Sequence, residues 1–340
     1  MNKKYKKILW VGYIIVCATV CVGILEYVGQ NYLFNNKLYF VNDLDHRMVP
    51  NSSPEINSDG IRSTKEGEEF RIEDENIIFL GDSFVYGWGV DYSSTIPYVL
   101  EEKLNSKSIR KKFNIANFGW LSSSPLLSNR LLIDKGRNYN PKWVFLGLDM
   151  SDFHDDLKYK AVEERRGLMK LIDYLPITLL ATRKVLSNSD KLHELFFGFP
   201  GERFFPSNRP LAESLGFLEE TKSNIISINE FCRKELNAQF VLFLFPRAYQ
   251  YSEGASPNSW EKGQYEEMGK FSHETFKFFL GRDHEEFNFP IFSLLDDFMH
   301  SDSFPTTFDD DPHWNEEGNL IAAEAIFNYF KEINSDIIER

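Results

Sequence analysis

Ile77-Ile78-Phe79-Leu80-Gly81-Asp82-Ser83-Phe84 runs four apolar residues straight into a Gly-Asp-Ser turn. A short apolar run bounded by turn residues suits a parallel strand covered on both faces, where polar alternation is lost because neither face meets water. A serine on the tight turn after such a strand presents its hydroxyl at the carboxyl edge of the sheet. Its backbone N–H points into the same space, which suits a nucleophile that also donates to an oxyanion. Gly, Asp and Ser are also ordinary turn residues, so the reading rests on what surrounds them.

Outward from this stretch the same pattern repeats. Phe113–Ala116, Trp143–Leu148, Phe240–Phe245 and Phe289–Leu294 are further apolar runs of strand length. Helix-like segments lie between them at Ile96–Leu104, Leu126–Arg137, Leu218–Leu236 and Gln264–Leu280, and Glu316–Ile333 follows the last run. Alternating strands and helices predict an α/β sandwich built on a parallel sheet. The globular body is expected over 76–335, preceded by a polar, turn-rich spacer and lead-in segment over 31–75. One interval breaks the rhythm, at about 153–216. It holds a charged helix (Asp156–Lys170), an amphipathic stretch (Ile172–Val185) and the aromatic segments Phe196–Pro200 and Phe204–Pro206. It reads as a helical insertion over the carboxyl ends of the strands, forming a lid, an acceptor groove, a membrane-contact surface, or a subdomain that buries its own Phe residues.

The 340 residues carry a net charge of −13, with 42% hydrophobic and 15% aromatic residues and 31 Phe. That is ample material for a core, and the acidic balance argues against nucleic acid, whose binding needs a clustered Lys/Arg surplus. Four cations, Lys3, Lys4, Lys6 and Lys7, precede an uncharged run from Ile8 to Leu25; without them 34 Lys and Arg face 51 Asp and Glu, a charge of −17. Eighteen helical residues span roughly 27 Å, close to the ~30 Å hydrocarbon core, so residues 8–28 can cross a bilayer. Residues 1–30 therefore read as a cytoplasmic stub and an uncleaved signal anchor, with no A-x-A cleavage pattern before Asn31. The basic flank keeps the N-terminus cytoplasmic and places the body outside, at the cell membrane or envelope. Cys17 and Cys21 fall within the apolar run, and Cys232 reads as a small buried hydrophobe.

A histidine stands beside several carboxylates far downstream, in Asp309-Asp310-Asp311-Pro312-His313-Trp314-Asn315-Glu316-Glu317-Gly318-Asn319. A hydroxyl nucleophile needs a base, and the base needs a carboxylate to fix its tautomer and stabilise its cation. Ser83, His313 and an acid from this run supply all three. With these residues the sequence resembles the SGNH/GDSL hydrolase superfamily. Gly81-Asp82-Ser83 resembles its first block, Asn117-Phe118-Gly119 its second, and Asp310/Asp311 with His313, Trp314, Asn315 and Gly318 its last. The resemblance spans about 77–333 outside the insertion. It implies a three-layer α/β/α sandwich and acyl hydrolysis or transfer on sugars, lipids or small esters. It also implies an oxyanion held by the N–H groups of Ser83 and Gly119, and no cofactor.

The third block departs from the family pattern. Ser151 stands where the family carries an Asn, in Asp149-Met150-Ser151-Asp152-Phe153-His154, and is the candidate third oxyanion donor. Losing one such donor costs about 2.7–4 kcal/mol in the transition state. The resemblance favours Asp310 as the acid by its commoner three-residue spacing, while a two-residue spacing selects Asp311; both stand as candidates. Asp152, His154, Asp155 and Asp156 form a second acidic cluster without a metal-ligand repeat, and no metal site is expected. Arg247 is either structural or a partner for an anionic group, and Trp88 and Trp120 are either sugar platforms or core. His46, His193, His273, His284 and His300 read as surface or helix residues. The expected function is a membrane-anchored serine esterase or O-acyltransferase acting on an acyl, most simply acetyl, ester of an extracytoplasmic glycan or envelope component. The alternative is a non-catalytic SGNH-like binding or assembly protein for polysaccharide export or modification.

Overall fold

In a computed structural model, residues 3–29, 38–41, 45–108, 111–164, 175, 177–178, 190–207, 210–252, 254–261, 273–281 and 287–334 are described. The first element, α1 (Lys3–Val28), contains the 24-residue segment Tyr5–Val28, long and apolar enough to cross a membrane by length and composition. Its apolar side chains are exposed on all sides, as a lipid-facing helix requires. Near its carboxyl end the Glu26 carboxylate accepts hydrogen bonds from the backbone N–H groups of Ile177 (3.0 Å) and Thr178 (2.6 Å), so the insertion meets α1 there.

Strands β1 (Leu38–Val41) and β2 (Asp45–Met48) form an antiparallel hairpin within what the sequence presents as a spacer. The main sheet is made of β3 (Glu75–Gly81), β4 (Phe113–Gly119), β5 (Trp143–Asp149), β6 (Gln239–Phe245) and β7 (Ile291–Ser293), ordered β4-β3-β5-β6-β7 with all pairs parallel. The five expected strands are these five, with β7 shorter than its apolar run.

Two cores lie on opposite faces of the sheet, and alternate residues of each strand divide between them. Ile78, Leu80, Ala116, Phe118, Val144, Leu146, Leu242 and Leu244 face one side, with α4 (Pro125–Lys135), α5 (Asp152–Glu163) and α7 (Leu211–Phe231). Ile77, Phe79, Phe113, Ile115, Phe145, Val241, Phe243 and Phe245 face the other, with α3 (Ile96–Lys107) and α11 (Glu316–Ile333). The molecule is therefore a three-layer α/β/α sandwich, and covering on both faces explains why its strands read as unbroken apolar runs.

The Phe excess is resolved here. Rings of Phe79, Phe145, Phe243 and Phe330 meet edge to face at 5.2–5.7 Å under α11, geometry that adds about 0.5–1.5 kcal/mol per pair beyond burial. In the insertion, Phe199, Phe204 and Phe205 are buried rather than offered to a membrane or substrate. The Phe196 and Phe197 side chains, and most of the expected stretch Ile172–Val185, lie outside the described residues, as do 264–272 of the expected helix Gln264–Leu280. Helix α6 (Asp190–Phe197) precedes Phe199, and α5 begins four residues ahead of the expected charged helix.

Four short helices complete the α-helices among the described residues. Helix α2 (Ser83–Tyr86) follows β3, α8 (Ala248–Tyr251) follows β6, and α10 (Leu295–Met299) follows β7, while α9 (Glu274–Leu280) precedes β7. Strands β4 and β5 flank β3, so the chain leaves β3 on one side and returns on the other. Such a reversal opens a crevice at the carboxyl ends of the strands, where ligands of open α/β sheets bind. Ser83 stands at that point.

Candidate active site

Asp82 opens α2. Its carboxylate accepts from the Phe84 N–H at 2.9 Å, and Gly87 ends the helix at φ 81°, a left-handed conformation that costs a Cβ-bearing residue most. This single turn aims the Ser83 side chain at the loop before α11. There, Asn315 caps α11 by accepting from Gly318 N–H at 3.1 Å, and Phe308 N–H pairs with His313 O at 3.2 Å. The Ser83 hydroxyl lies 2.7 Å from His313 Nε2. A short hydrogen bond joins His313 Nδ1 to Asp311, whose Oδ1 also accepts the His313 backbone N–H at 2.9 Å. The His313 ring packs on Phe84 at 5.0 Å between centroids, and Trp314 lies beneath Phe84 at 4.9 Å.

The structure thus puts Asp311, rather than the favoured Asp310, on the imidazole. Because the Asp311 carboxylate folds back onto the backbone two residues on, it reaches the ring of the same residue. Asp310 is exposed and has no hydrogen bond or ion pair among the described residues. Burial alone would raise the Asp311 pKa. Hydrogen bonds from the His313 ring and backbone and from Trp88 outweigh it and hold the carboxyl below its usual range, so it is ionised when the base needs it.

Two expected oxyanion donors are already engaged. The Gly119 N–H donates to Asn117 Oδ1 at 3.0 Å, while Asn117 Nδ2 ties β4 to α2 through Val85 O at 2.9 Å. Gly119 is needed for close approach instead, since a Cβ there would lie 2.5 Å from Tyr86 N. The Ser151 hydroxyl donates to Asp149 Oδ2 at 2.9 Å and accepts from Arg247 Nη2 (3.1 Å) and Arg203 Nη2 (3.0 Å). Its single proton is committed to Asp149, so in this arrangement the hydroxyl does not donate into the site. The Ser83 N–H has no hydrogen bond among the described residues. In the turn after β4, Ser122 adopts φ 57° with its N–H also unpartnered; nothing in its residue type signalled this position.

Behind Ser151 lies a buried charge network. Arg247, 1% exposed, donates through Nε to both Asp149 oxygens (2.7 and 3.0 Å) and through Nη1 to Glu261 at 3.2–3.3 Å, and its guanidinium lies 4.9 Å from the Phe84 ring centre. Arg203, from the insertion, lies 3.6 Å from Asp155 and 3.6 Å from Glu261. Arg203 and Glu261 escaped the sequence reading; the one available signal was a lone cation beside Phe204-Phe205, while Glu261 sits in unremarkable polar sequence. Burial and the neighbouring Asp149 carboxylate raise Asp82 to about 6, against Arg247, the Phe84 N–H and His313, which pull it down. Burial would raise Asp155 too, but Lys158, His154 and Arg203 hold it well below the usual range.

The expectation for His46 changes: it sits buried on β2, neither on the surface nor on a helix, with Nε2 at 2.6 Å from Leu121 O. His193 lies on helix α6 as one of the expected alternatives, buried, with Nδ1 at 3.0 Å from Phe199 O. Trp120 is 2% exposed and belongs to the core, whereas Trp88 stays half-buried beside His313 at 6.4 Å. Among the described residues, no group of three or more His, Cys, Asp or Glu is arranged to hold a metal ion.

A serine, an imidazole and a carboxylate in this order form an acyl-transfer triad. The chain is similar to solved G-D-S-L and esterase structures. Three of them are the psychrotrophic esterase EstA from Pseudoalteromonas sp. (14% identical over 77% of this chain and 100% of that one, TM-score 0.43), a carbohydrate acetylesterase family member from Sinorhizobium meliloti (10%, 77% and 99%, TM-score 0.41), and a member of the lipolytic protein G-D-S-L family from Veillonella parvula (12%, 75% and 98%, TM-score 0.36). No protein-family model matches the chain, and no curated protein sequence matches it.

Proposed function

We propose that the chain is a serine ester hydrolase or O-acyltransferase of the SGNH type, anchored in a membrane by residues 8–28. Its substrate is an acyl, most simply acetyl, ester on a glycan or envelope component outside the cytoplasm. The observation that carries the chemistry is the 2.7 Å contact between Ser83 Oγ and His313 Nε2, with Asp311 on the far side of the ring. Ser83 Oγ attacks the acyl carbonyl while His313 Nε2 takes its proton, and Asp311 holds the Nδ1–H and stabilises the imidazolium. The Ser83 N–H meets the oxyanion. The imidazolium returns its proton to the leaving alcohol, and water or an acceptor hydroxyl then releases the acyl group by the same steps reversed.

The glycan and its location rest on the anchor's basic flank and the family resemblance. A second reading, a binding or assembly protein on this scaffold, draws support from the engagement of Gly119 N–H and Ser151 Oγ. Labelling of the purified chain by a serine-directed fluorophosphonate, together with acetate-ester hydrolysis, separates the two. The enzyme reading expects both to vanish in Ser83→Ala; equal activity in wild type and Ser83→Ala would leave the binding reading. Protease protection of the body in spheroplasts with an intact inner membrane would contradict the outward orientation.

A further inference from the structure

A cavity of about 560 Å³ lies beside the triad, between the lead-in segment Met48–Ile56 and the turn Tyr86–Val90 that follows the nucleophile helix. Its size is within the ~300–1,000 Å³ typical of small-molecule sites. The far wall is tied to the triad. The N–H groups of Gly87 and Trp88 both donate to Ser83 O, at 3.1 and 3.0 Å, and Trp88 hydrogen-bonds to Asp311. The near wall is ordered by its own turns, with Asn51 N–H on Asn57 O at 3.2 Å and Ser52 N–H on Val49 O at 3.2 Å.

The chemistry of the walls selects the occupant. Arg62 is 5% exposed, and its Nη1 and Nη2 are taken by the carbonyls of Tyr86, Gly87 and Val90 at 2.7–3.1 Å and by Glu55 at 3.0 Å. Its Nε–H is buried, closed off from the cavity, and has no partner among the described residues. Glu55 neutralises the guanidinium, so the cavity offers no free positive charge, on a body whose net charge is strongly negative. Ser52 and Ser53 supply hydroxyls, and Trp88 supplies a half-buried aromatic face. Hydroxyl partners and an aromatic platform on a wall without free positive charge fit a neutral sugar ring, whose axial C–H groups stack on indole while its oxygens bond at the edge. An anionic sugar would face Glu55.

We infer that this cavity is a saccharide subsite, binding a neutral pyranose unit of the glycan whose ester Ser83 attacks. The inference rests on the ester reading for its substrate and on the cavity for its location. The test uses the full chain carrying Ser83→Ala, in a polyoxyethylene detergent free of sugar headgroups, titrated calorimetrically with xylotetraose, tetra-N-acetylchitotetraose and tetragalacturonate. At least one neutral oligosaccharide binds, tetragalacturonate does not, and filling the cavity with Ser53→Trp weakens the binding at least about tenfold, or ~1.4 kcal/mol. If Ser53→Trp loses the thermal transition of its parent, Ser52→Trp takes its place. Absence of binding by either neutral sugar at about 10 mM, a weak-affinity ceiling, overturns the inference. So does tighter binding of tetragalacturonate, or an unchanged affinity in the filled variants. Fluorophosphonate labelling of the wild-type chain reads Ser83 chemistry without any saccharide. Labelling without sugar binding defeats the subsite alone, and sugar binding without labelling defeats the ester reading alone.

Discussion

Replacing Asp311 by Asn, with Asp310→Asn as its twin, tests the assembled triad at the point where spacing and structure diverge. The Asp311 carboxylate serves two donors, the His313 backbone N–H at 2.9 Å and the ring Nδ1–H. An asparagine can keep the first through its carbonyl, and its NH₂ then faces Nδ1. That arrangement favours the tautomer with the proton on Nε2, which turns a donor instead of a base toward Ser83. The same swap in a Ser-His-Asp triad costs about 10⁴ in kcat, equivalent to roughly 5 kcal/mol of transition-state stabilisation. Asp311 is about one-third exposed, so water partly compensates and a loss of about 10²–10⁴ is expected. Asp310→Asn touches nothing at His313 and should stay within about twofold, as surface changes away from special features do. The assay is kcat/KM for p-nitrophenyl acetate, with thermal unfolding to verify that both variants fold. A larger loss in Asp310→Asn than in Asp311→Asn, or equal losses, would refute the assignment.

Ser151→Asn, which introduces the residue that the resemblance leads one to expect there, should not raise kcat, because the side chain enters a space filled by Asp149, Arg203 and Arg247. It should instead lower stability by about 1–3 kcal/mol through overpacking, and a tenfold gain in ester hydrolysis would show that the oxyanion donor was missing after all. Arg247→Ala strands the buried Asp149 and Glu261 carboxylates and should cost about 3–5 kcal/mol, read as a lowered denaturant midpoint; an unchanged midpoint would contradict the network. Burial raises Asp156 to about 6 from 3.8, against hydrogen bonds from Ser124, Leu126, Asn224 and Thr221 that pull it down. The folded chain thus holds this proton where the unfolded chain has lost it. The contribution is full below about pH 4 and fades as pH rises through 6, about 3 kcal/mol in all. Asp156→Asn should therefore flatten the fall in stability between pH 4 and 7, measured by denaturant titration at each pH, and an equally steep fall in the variant would refute the shift.

Much of the sheet was legible in the sequence because strands covered on both faces leave unbroken apolar runs, which local composition records directly. The Ser83–His313 pair, which the structure brings to 2.7 Å, was legible for a related reason. A turn after a strand and a capped helix start are local structures, and Gly81-Asp82-Ser83 and Asp311-Pro312-His313 carry them within a few residues. The lead-in segment was less legible, since its polar turns resemble a tether until their partners on β4 and α2 are known; Arg62 pairs with Asn117 across the sheet edge and grips the Tyr86–Val90 turn.

The sequence by itself determined that this is an α/β chain with an apolar N-terminal helix of membrane length and a serine and histidine at sheet-edge turns. Only the tertiary structure decided that Asp311 rather than Asp310 meets the imidazole, and that Gly119 N–H and Ser151 Oγ serve neighbours instead of an oxyanion. It also decided that Arg203 and Glu261 join Arg247 in the buried network. The physical reason is the direction and reach of side chains and N–H groups. Adjacent carboxylates in one turn have the same composition but different surroundings: Asp310 is exposed, while Asp311, about one-third exposed, lies on the imidazole. A donor's availability depends on which acceptor lies within about 3 Å of it, and at this site those acceptors come from other turns of the chain.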